Sequence, residues 1–314
     1  MKIAFVGAGW VAGRHLGTLV QEPGLEIVGH VSPISQELGT ATQRWGGQGY
    51  KTVQELLKKE KVDAAWITVP PAEHGEIENA FLEKGIPLFI EKPLSADRAT
   101  AEEIGRNIKA KGAIAAVGYH WRAMDTIPEV KGFLKKNPAR MVLAAWHDST
   151  PPPQWWRHQD TSGGQIVEQA THLFDLARYL LGEASLVESL AQKNPRPAYP
   201  DADVTDVSAA LVRFPKGVPG VFSATCDLSG PVEIYVKLIC DGAMVTITQQ
   251  GTVFDLENQK LEKRLSSDPF VTENRAFLKA IQKNDPTLLY SSYEDALKTH
   301  ALCHDVLENY QKKM

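Results

Sequence analysis

Two side chains in this sequence stand where surface solvation alone does not explain them. Lys92 lies in Glu91-Lys92-Pro93, directly after the apolar run Pro87–Ile90, and so at a strand end. A lysine there is either a solvated strand end, the usual fate of lysine, or a cation placed where α/β sheets bind ligands. His172 lies in SGGQIVEQATHLFDLARYL, a helical pattern expected to run from about Gly164 to Leu181. Glu168 precedes it by four residues, so on one continuous helix the two share a face, followed by Asp175 and Tyr179. Such a Glu–His pair can be a surface pair, half of a metal site, or an acid–base pair. A metal needs further ligands at recognisable spacing. His147 and His158 are too loosely placed to supply them, so no metal is expected.

These residues need elements to hold them. The chain begins with a short apolar run, Ile3–Val6, followed by Gly7-Ala8-Gly9-Trp10-Val11-Ala12. This is the G-x-G-x-x-A form of the dinucleotide fingerprint, between a strand and a helix as the fingerprint requires. Gly7 allows the tight turn, Gly9 lets the backbone approach a pyrophosphate, and Ala12 lets helix and strand pack closely. The helix N-terminus then attracts phosphate through free N–H groups and its dipole. The second strand, expected at Glu26–Val31, should end in an acid that bonds the adenosine ribose. Ser32 stands there instead. No carboxylate at that position repels a 2′-phosphate, and the nearest downstream basic residues are Arg44 and Lys51, so both NAD and NADP are admitted.

Over the first 120 residues, apolar runs alternate with helical patterns. Runs at Val62–Val69, Pro87–Ile90 and Ala113–Gly118 are separated by patterns such as Val53–Lys59, Glu73–Lys84 and Ala99–Lys111. Continuous apolar strands between amphipathic helices predict a doubly wound parallel sheet, a Rossmann domain over residues 1–120. From 121 to 314 the rhythm changes to an α+β pattern. Helices are expected at Ile127–Lys135, Phe270–Gln282 and Tyr293–Gln311, and strands from Ser185 to about Phe254. Hairpins are expected at PKGVPG and at Asp241-Gly242. This segment is expected to be a substrate-binding and oligomerisation domain with a large, mainly antiparallel, open sheet. One face of such a sheet lacks helices to cover it, which predicts a homodimer or homotetramer.

Composition excludes several classes. Hydrophobic residues are 43%, charged residues 23%, and the net charge is -4. That is a globular composition without the basic field that nucleic acid or anionic membrane requires. Cys226, Cys240 and Cys303 are far apart, which favours a reducing, cytoplasmic setting. The N-terminal run is broken by three glycines and followed by Arg14 and His15, so a buried strand explains it better than a leader peptide. No stretch reaches the ~20 apolar residues needed to span a bilayer.

Taken together, Gly7–His15, Thr68–His74, Glu91-Lys92-Pro93, Gly118-Tyr119-His120-Trp121-Arg122, the Gly163–Asp175 stretch and the closing YSSYEDALKTHALCHDVLE resemble the Gfo/Idh/MocA oxidoreductase family. This is the family of glucose–fructose oxidoreductase and inositol dehydrogenase, and the resemblance runs nearly end to end. It implies an NAD- or NADP-dependent enzyme acting on a sugar, cyclitol or related polyol. By the same resemblance Lys92 and His172 are catalytic, with Glu168 as a third catalytic residue, standing where many members carry an aspartate and able to orient the imidazole or to contact a substrate hydroxyl. Thr68, His74, Glu91 and His120 join the fingerprint and Ser32 around the cofactor, and the Lys92–Pro93 bond is expected to be cis. Removing a hydroxyl proton as hydride leaves carbon needs a base with a pKa near the working pH, which histidine has by nature. A lysine can polarise the oxygen or share the proton. Trp155, Trp156 and Arg157, with Arg122, are the candidate substrate contacts, since aromatic faces stack on sugar rings and arginine bonds hydroxyls. The resemblance also admits a redox-neutral, NAD-dependent glycoside hydrolase, and a sensor that binds dinucleotide and sugar without catalysis.

Overall fold

The computed structural model describes all residues from Met1 to Met314. The chain divides into two compact units. The first comprises Met1–Ser95, Ala99–Ala123 and Asp268–Leu297; the second comprises Ala96–Arg98, Met124–Ser267 and Lys298–Met314.

The first unit is built on a six-stranded parallel sheet. Its strands are β1 (Lys2–Val6), β2 (Glu26–Val31), β3 (Gln48–Tyr50), β4 (Ala64–Ile67), β5 (Leu88–Ile90) and β6 (Ala115–Val117). They are ordered β3-β2-β1-β4-β5-β6, the doubly wound arrangement that the alternating pattern predicts. The helices between them are α1 (Trp10–Leu19), α2 (Ser35–Trp45), α3 (Val53–Lys59), α4 (Glu76–Leu82) and α5 (Arg98–Lys111), of which α5 begins in the second unit. β1 shows why both faces need cover. Ala4 and Val6 enter one apolar core with Leu56, Phe81 and Ile104, while Ile3 and Phe5 enter another with Leu16, Trp66, Phe89 and Phe277. Strands buried on both faces read as unbroken apolar runs rather than alternating ones.

Phe277 belongs to a helix near the end of the chain, Pro269–Lys283. The sequence boundary at 120 and 121 is contiguous, but the compact units are not, because this helix completes the second face of the parallel sheet beside α1. α1 alone is ten residues long, too short to cover six strands. β3 and α2 were not expected from the sequence. Three residues, two of them exposed, carry too little pattern to register as a strand.

The second unit opens with α6 (Ile127–Lys136) and contains an eight-stranded sheet. Its strands are β7 (Met141–His147), β8 (Ser185–Gln192), β9 (Val207–Arg213), β10 (Pro219–Thr225), β11 (Glu233–Cys240), β12 (Ala243–Thr248), β13 (Gly251–Leu256) and β14 (Gln259–Arg264). The order is β14-β13-β12-β11-β7-β10-β9-β8, antiparallel throughout except for β7 with β10. Both expected hairpins are present, and Cys240 pairs directly with Ala243 across the Asp241-Gly242 turn. β14 lies beyond the strand region expected from sequence, because none of its residues is buried.

The predicted single helix from Gly164 to Leu181 is corrected by the structure. It is two short pieces, α8 (Gly164–Glu168) and α9 (Thr171–Leu181), preceded by the single turn α7 (Gln159–Ser162). The Gln165 carbonyl accepts from both Gln169 and Ala170, and the His172 amide donates to Gln169 rather than to Glu168. The ladder is therefore interrupted between the two residues whose four-residue spacing placed them on one face.

The chain closes with α10 (Pro269–Lys283) and α11 (Tyr293–Gln311). His300 and His304 on α11 are buried in the second unit, with ring centroids 4.4 Å apart. Burial, then the His304 charge, lowers the His300 pKa to about 3; burial, then Arg98, lowers that of His304 to about 4. Both rings are therefore neutral when folded, whereas the unfolded chain takes up protons below about pH 6.5. The stability they hold is present above that value and is lost as pH falls towards 4, by on the order of 2 kcal/mol per ring at pH 5. His304→Gln is expected to lose less stability than the parent between pH 7.5 and pH 5. Denaturant melts at the two pH values check this, and equal losses would refute it.

Candidate functional site

The fingerprint turn is shaped by its neighbour on β4. Gly7 has φ +91°, a conformation that L side chains rarely adopt, and a Cβ there would lie 2.5 Å from the Thr68 carbonyl oxygen. Thr68 follows β4, and its hydroxyl donates to the Val6 carbonyl at 3.0 Å. β1 and β4 are the strands at which the sheet order reverses, so the turn lies at the switch point where doubly wound sheets bind ligands. A Cβ on Gly9, by contrast, would meet nothing within 4 Å. The turn thus has one glycine locked against the sheet and one open to an approaching ligand. Ala12 is buried against the sheet, Val11 is half-buried, and Trp10 is 74% exposed. These features fit a dinucleotide pyrophosphate at the start of α1.

Lys92 is half-buried at the end of β5, on the same edge of the sheet as the turn, and its bond to Pro93 is cis. The residue before it is locked in place. The Glu91 carboxylate is buried; Oε1 lies 2.8 Å from His15 Nε2, and Oε2 accepts the Lys92 amide at 3.1 Å. A Cβ on Gly118 would fall 2.3 Å from Glu91 Oε1, so only glycine at the end of β6 leaves room for this carboxylate. Glu91 was expected from the resemblance to touch cofactor; here its carboxylate holds α1 and the main chain at Lys92.

His15 is itself fixed by α10. Its Nδ1 lies 3.0 Å from Asn274 Oδ1, which also accepts from Trp66 Nε1 at 2.9 Å. Asn274 Nδ2 donates to Thr18, so the amide orientation is set and His15 Nδ1 must be the donor. The His15 ring packs edge-on to Phe89 and Phe270, at 4.9 and 5.0 Å between centroids. Glu273, next to Asn274, brings a third buried group, and the donor atoms of His15, Glu91 and Glu273 lie within 4.8 Å of one another. Burial, then the charges of Glu91 and Asp268, push the Glu273 pKa well above the carboxylate range. His15, Glu273 and Asn274 were not singled out from sequence. His15 lies among apolar helix positions, and its hydrogen-bond partners Glu91 and Asn274 are 76 and 259 residues away, so no local spacing marks them.

His120 follows β6, and its ring stacks on Phe270 at 4.8 Å. Burial, then Lys92, His15 and Arg14, lower its pKa to about 3. It is therefore a neutral hydrogen-bonding group at working pH, not a proton donor of the imidazolium kind. His74 is buried, with Nδ1 2.5 Å from Glu78 Oε1. Glu78 also accepts the Gly75 amide, so the pair caps α4. Arg122 is 3% exposed and pairs with Asp295 at 2.6 Å and with the Tyr290 carbonyl at 3.2 Å, all within the first unit. Its guanidinium is committed to the fold, and a substrate contact gains no support from that.

In the second unit, His172 is buried near the start of α9, and its ring stacks on Trp146 of β7 at 5.9 Å. The carboxylate of Glu168 accepts from Trp156 Nε1 at 2.7 Å. The two side chains expected on one face therefore serve two different tryptophans. Asp175 accepts from Thr299, which also accepts from Arg178, and Tyr179 carries the Lys131 ammonium 3.3 Å above its ring. Trp156 is 1% exposed in a cluster with Val204 and Cys226, which makes it an anchor for its loop rather than an open stacking face. Trp155 and Arg157 are half-buried, with Arg157 over the ring of Tyr199 at 4.6 Å.

Comparison with known proteins identifies the family. Residues 1–119 match the oxidoreductase family model with an NAD-binding Rossmann fold, GFO_IDH_MocA, and residues 138–246 match the GFO/IDH/MocA C-terminal domain. The chain belongs to the GFO/IDH/MocA oxidoreductase family. It is 26% identical over 281 residues to scyllo-inositol 2-dehydrogenase (NAD(+)) of Bacillus subtilis, covering 82% of this chain and 79% of that one. It is 23% identical over 277 residues to levoglucosan dehydrogenase of Pseudarthrobacter phenanthrenivorans, covering 78% and 70%. Its fold matches the crystal structure of KijD10, a 3-ketoreductase from Actinomadura kijaniata in complex with NADP and TDP-benzene. The TM-score is 0.86 at 20% identity, over 98% of this chain and 97% of that one.

Two outcomes are expected of this site. Gly7→Ala will lose dinucleotide binding by at least tenfold in a fluorescence titration while keeping a native circular dichroism spectrum; unchanged affinity would show that the turn does not carry the cofactor. Glu273→Gln removes a carboxyl whose raised pKa makes the folded state less stable as pH rises above the ordinary carboxyl range. This variant is expected to be at least as stable as the parent at pH 8. A large loss there would show that Glu273 is needed ionised.

Proposed function

We propose that this family member is a dehydrogenase or reductase that moves a hydride between NAD or NADP and a hydroxyl or carbonyl carbon of a sugar, cyclitol or sugar derivative. The observation that carries this reading is Lys92, half-buried on the sheet edge that holds the Gly7–Ala12 turn, with its main chain tied through Glu91 to α1. The dinucleotide, when bound, supplies the hydride acceptor or donor. Gly7, Gly9 and Ala12 would hold it, with Trp10, Val11, Ser32, Thr68 and His74 around it. Lys92 polarises the reacting oxygen. His172 takes or returns its proton, and Glu168 acts on the loop through Trp156 rather than on substrate. His120, kept neutral, contributes a hydrogen bond. Trp155 and Arg157, with His172, are the substrate contacts carried forward. The names of the inositol and levoglucosan relatives support a cyclitol or sugar-like substrate.

The proposed enzyme is a cytoplasmic homo-oligomer. Its three cysteines are free and buried, which suits a reducing compartment, and no helix is long and apolar enough to cross a membrane. One face of the eight-stranded sheet leaves Leu190, Leu211 and Val221 exposed on neighbouring strands, a patch suited to a second copy.

The test is absorbance at the reduced-nicotinamide band, with NAD or NADP and a panel of cyclitols, aldoses and sugar acids. Reduction by at least one compound is expected, with kcat lowered roughly 10²–10⁴-fold in Lys92→Ala and in His172→Ala. Tight dinucleotide binding with no net reduction across the panel would overturn the dehydrogenase reading. For assembly, Leu211→Glu is expected to lower the mass measured by sedimentation; a parent that sediments as a monomer would refute the oligomer.

A further inference from the structure

The end of β2 lacks the acid that usually binds the adenosine ribose, and Ser32 stands there. The structure supplies a carboxylate from elsewhere. Glu37, in the first turn of α2, accepts the Ser32 hydroxyl at 2.7 Å through Oε2. The same hydroxyl accepts the Ile34 amide at 3.1 Å, so the loop between β2 and α2 is folded around it. The strand end is joined to the fingerprint, because the Gly7 amide donates to the Val31 carbonyl at 2.9 Å. The Glu37 carboxylate thus lies at the β2 end of the dinucleotide site, half-buried and one hydrogen bond from the position a strand-end acid would occupy.

The basic residues nearby are not placed to replace it. Lys51 donates to the Pro33 carbonyl at 2.8 Å and to the Ser35 hydroxyl at 2.6 Å, so its ammonium closes the loop. Arg44 lies in the last turn of α2, seven residues from Glu37, with its guanidinium over Trp45. Seven residues of helix span about 10 Å. The charged group hydrogen-bonded to the strand-end residue is then a carboxylate. It accepts hydrogen bonds from a 2′,3′-diol and repels a 2′-phosphate.

We infer that Glu37 is the specificity-determining residue for the dinucleotide and that it makes the site prefer NAD over NADP, an inference that rests on the dinucleotide reading above. The experiment measures the dissociation constants of NADH and NADPH for the purified protein by fluorescence, for the parent and for Glu37→Gln. The parent is expected to bind NADH at least tenfold more tightly. Glu37→Gln should narrow that preference at least tenfold. Parent binding that is equal for the two, or tighter for NADPH, overturns the assignment, as does an unchanged ratio in Glu37→Gln. Binding of neither dinucleotide by a folded parent overturns the dinucleotide reading itself and with it this inference.

Discussion

The carboxyl group of Glu91 is buried at the end of β5, and a buried polar group is tolerated only when its oxygens are hydrogen-bonded. His15 and the Lys92 amide meet that demand, and Gly118 leaves the space for it. The rest of the first unit's site follows from this one group. α1 is tied to β5 through His15, α10 is tied to both through Asn274, and the main chain that carries Lys92 has one place to go. A second carboxyl, Glu273, shares the enclosure, and its pKa is raised there by burial first and then by Glu91 and Asp268.

The same low-polarity surroundings decide what the histidines can do. His120, His300 and His304 are all pushed far below the ordinary histidine range by burial. Three rings that sequence alone would treat as pH-sensitive are neutral groups in the fold. For His120, stacked on Phe270 next to the Lys92 strand end, neutrality suits a hydrogen-bonding role beside a cation; an imidazolium there would repel Lys92.

The second unit shows how a short interruption re-aims side chains. Two amides sharing the Gln165 carbonyl end α8 and restart the helix as α9. Glu168 is left facing the Trp156 indole, and His172 lies on the Trp146 ring.

Much of this was legible in the sequence. The period of the apolar runs determined the parallel sheet, because strands buried on both faces admit no polar alternation. The glycine spacing between β1 and α1 determined the dinucleotide turn, because φ and close approach are properties of the residue itself. Lys92 and His172 stood out by type and position. What only the tertiary structure decided were the relations between residues distant in sequence. The closing helix α10 joins the first unit because a six-stranded sheet has two apolar faces to cover. Glu91 pairs with His15, Arg122 with Asp295, and Glu37 with Ser32 because burial forces polar groups to find whichever partner the fold brings near. Local spacing records the geometry of one helix or strand; it holds no information about which charge two elements will be obliged to share.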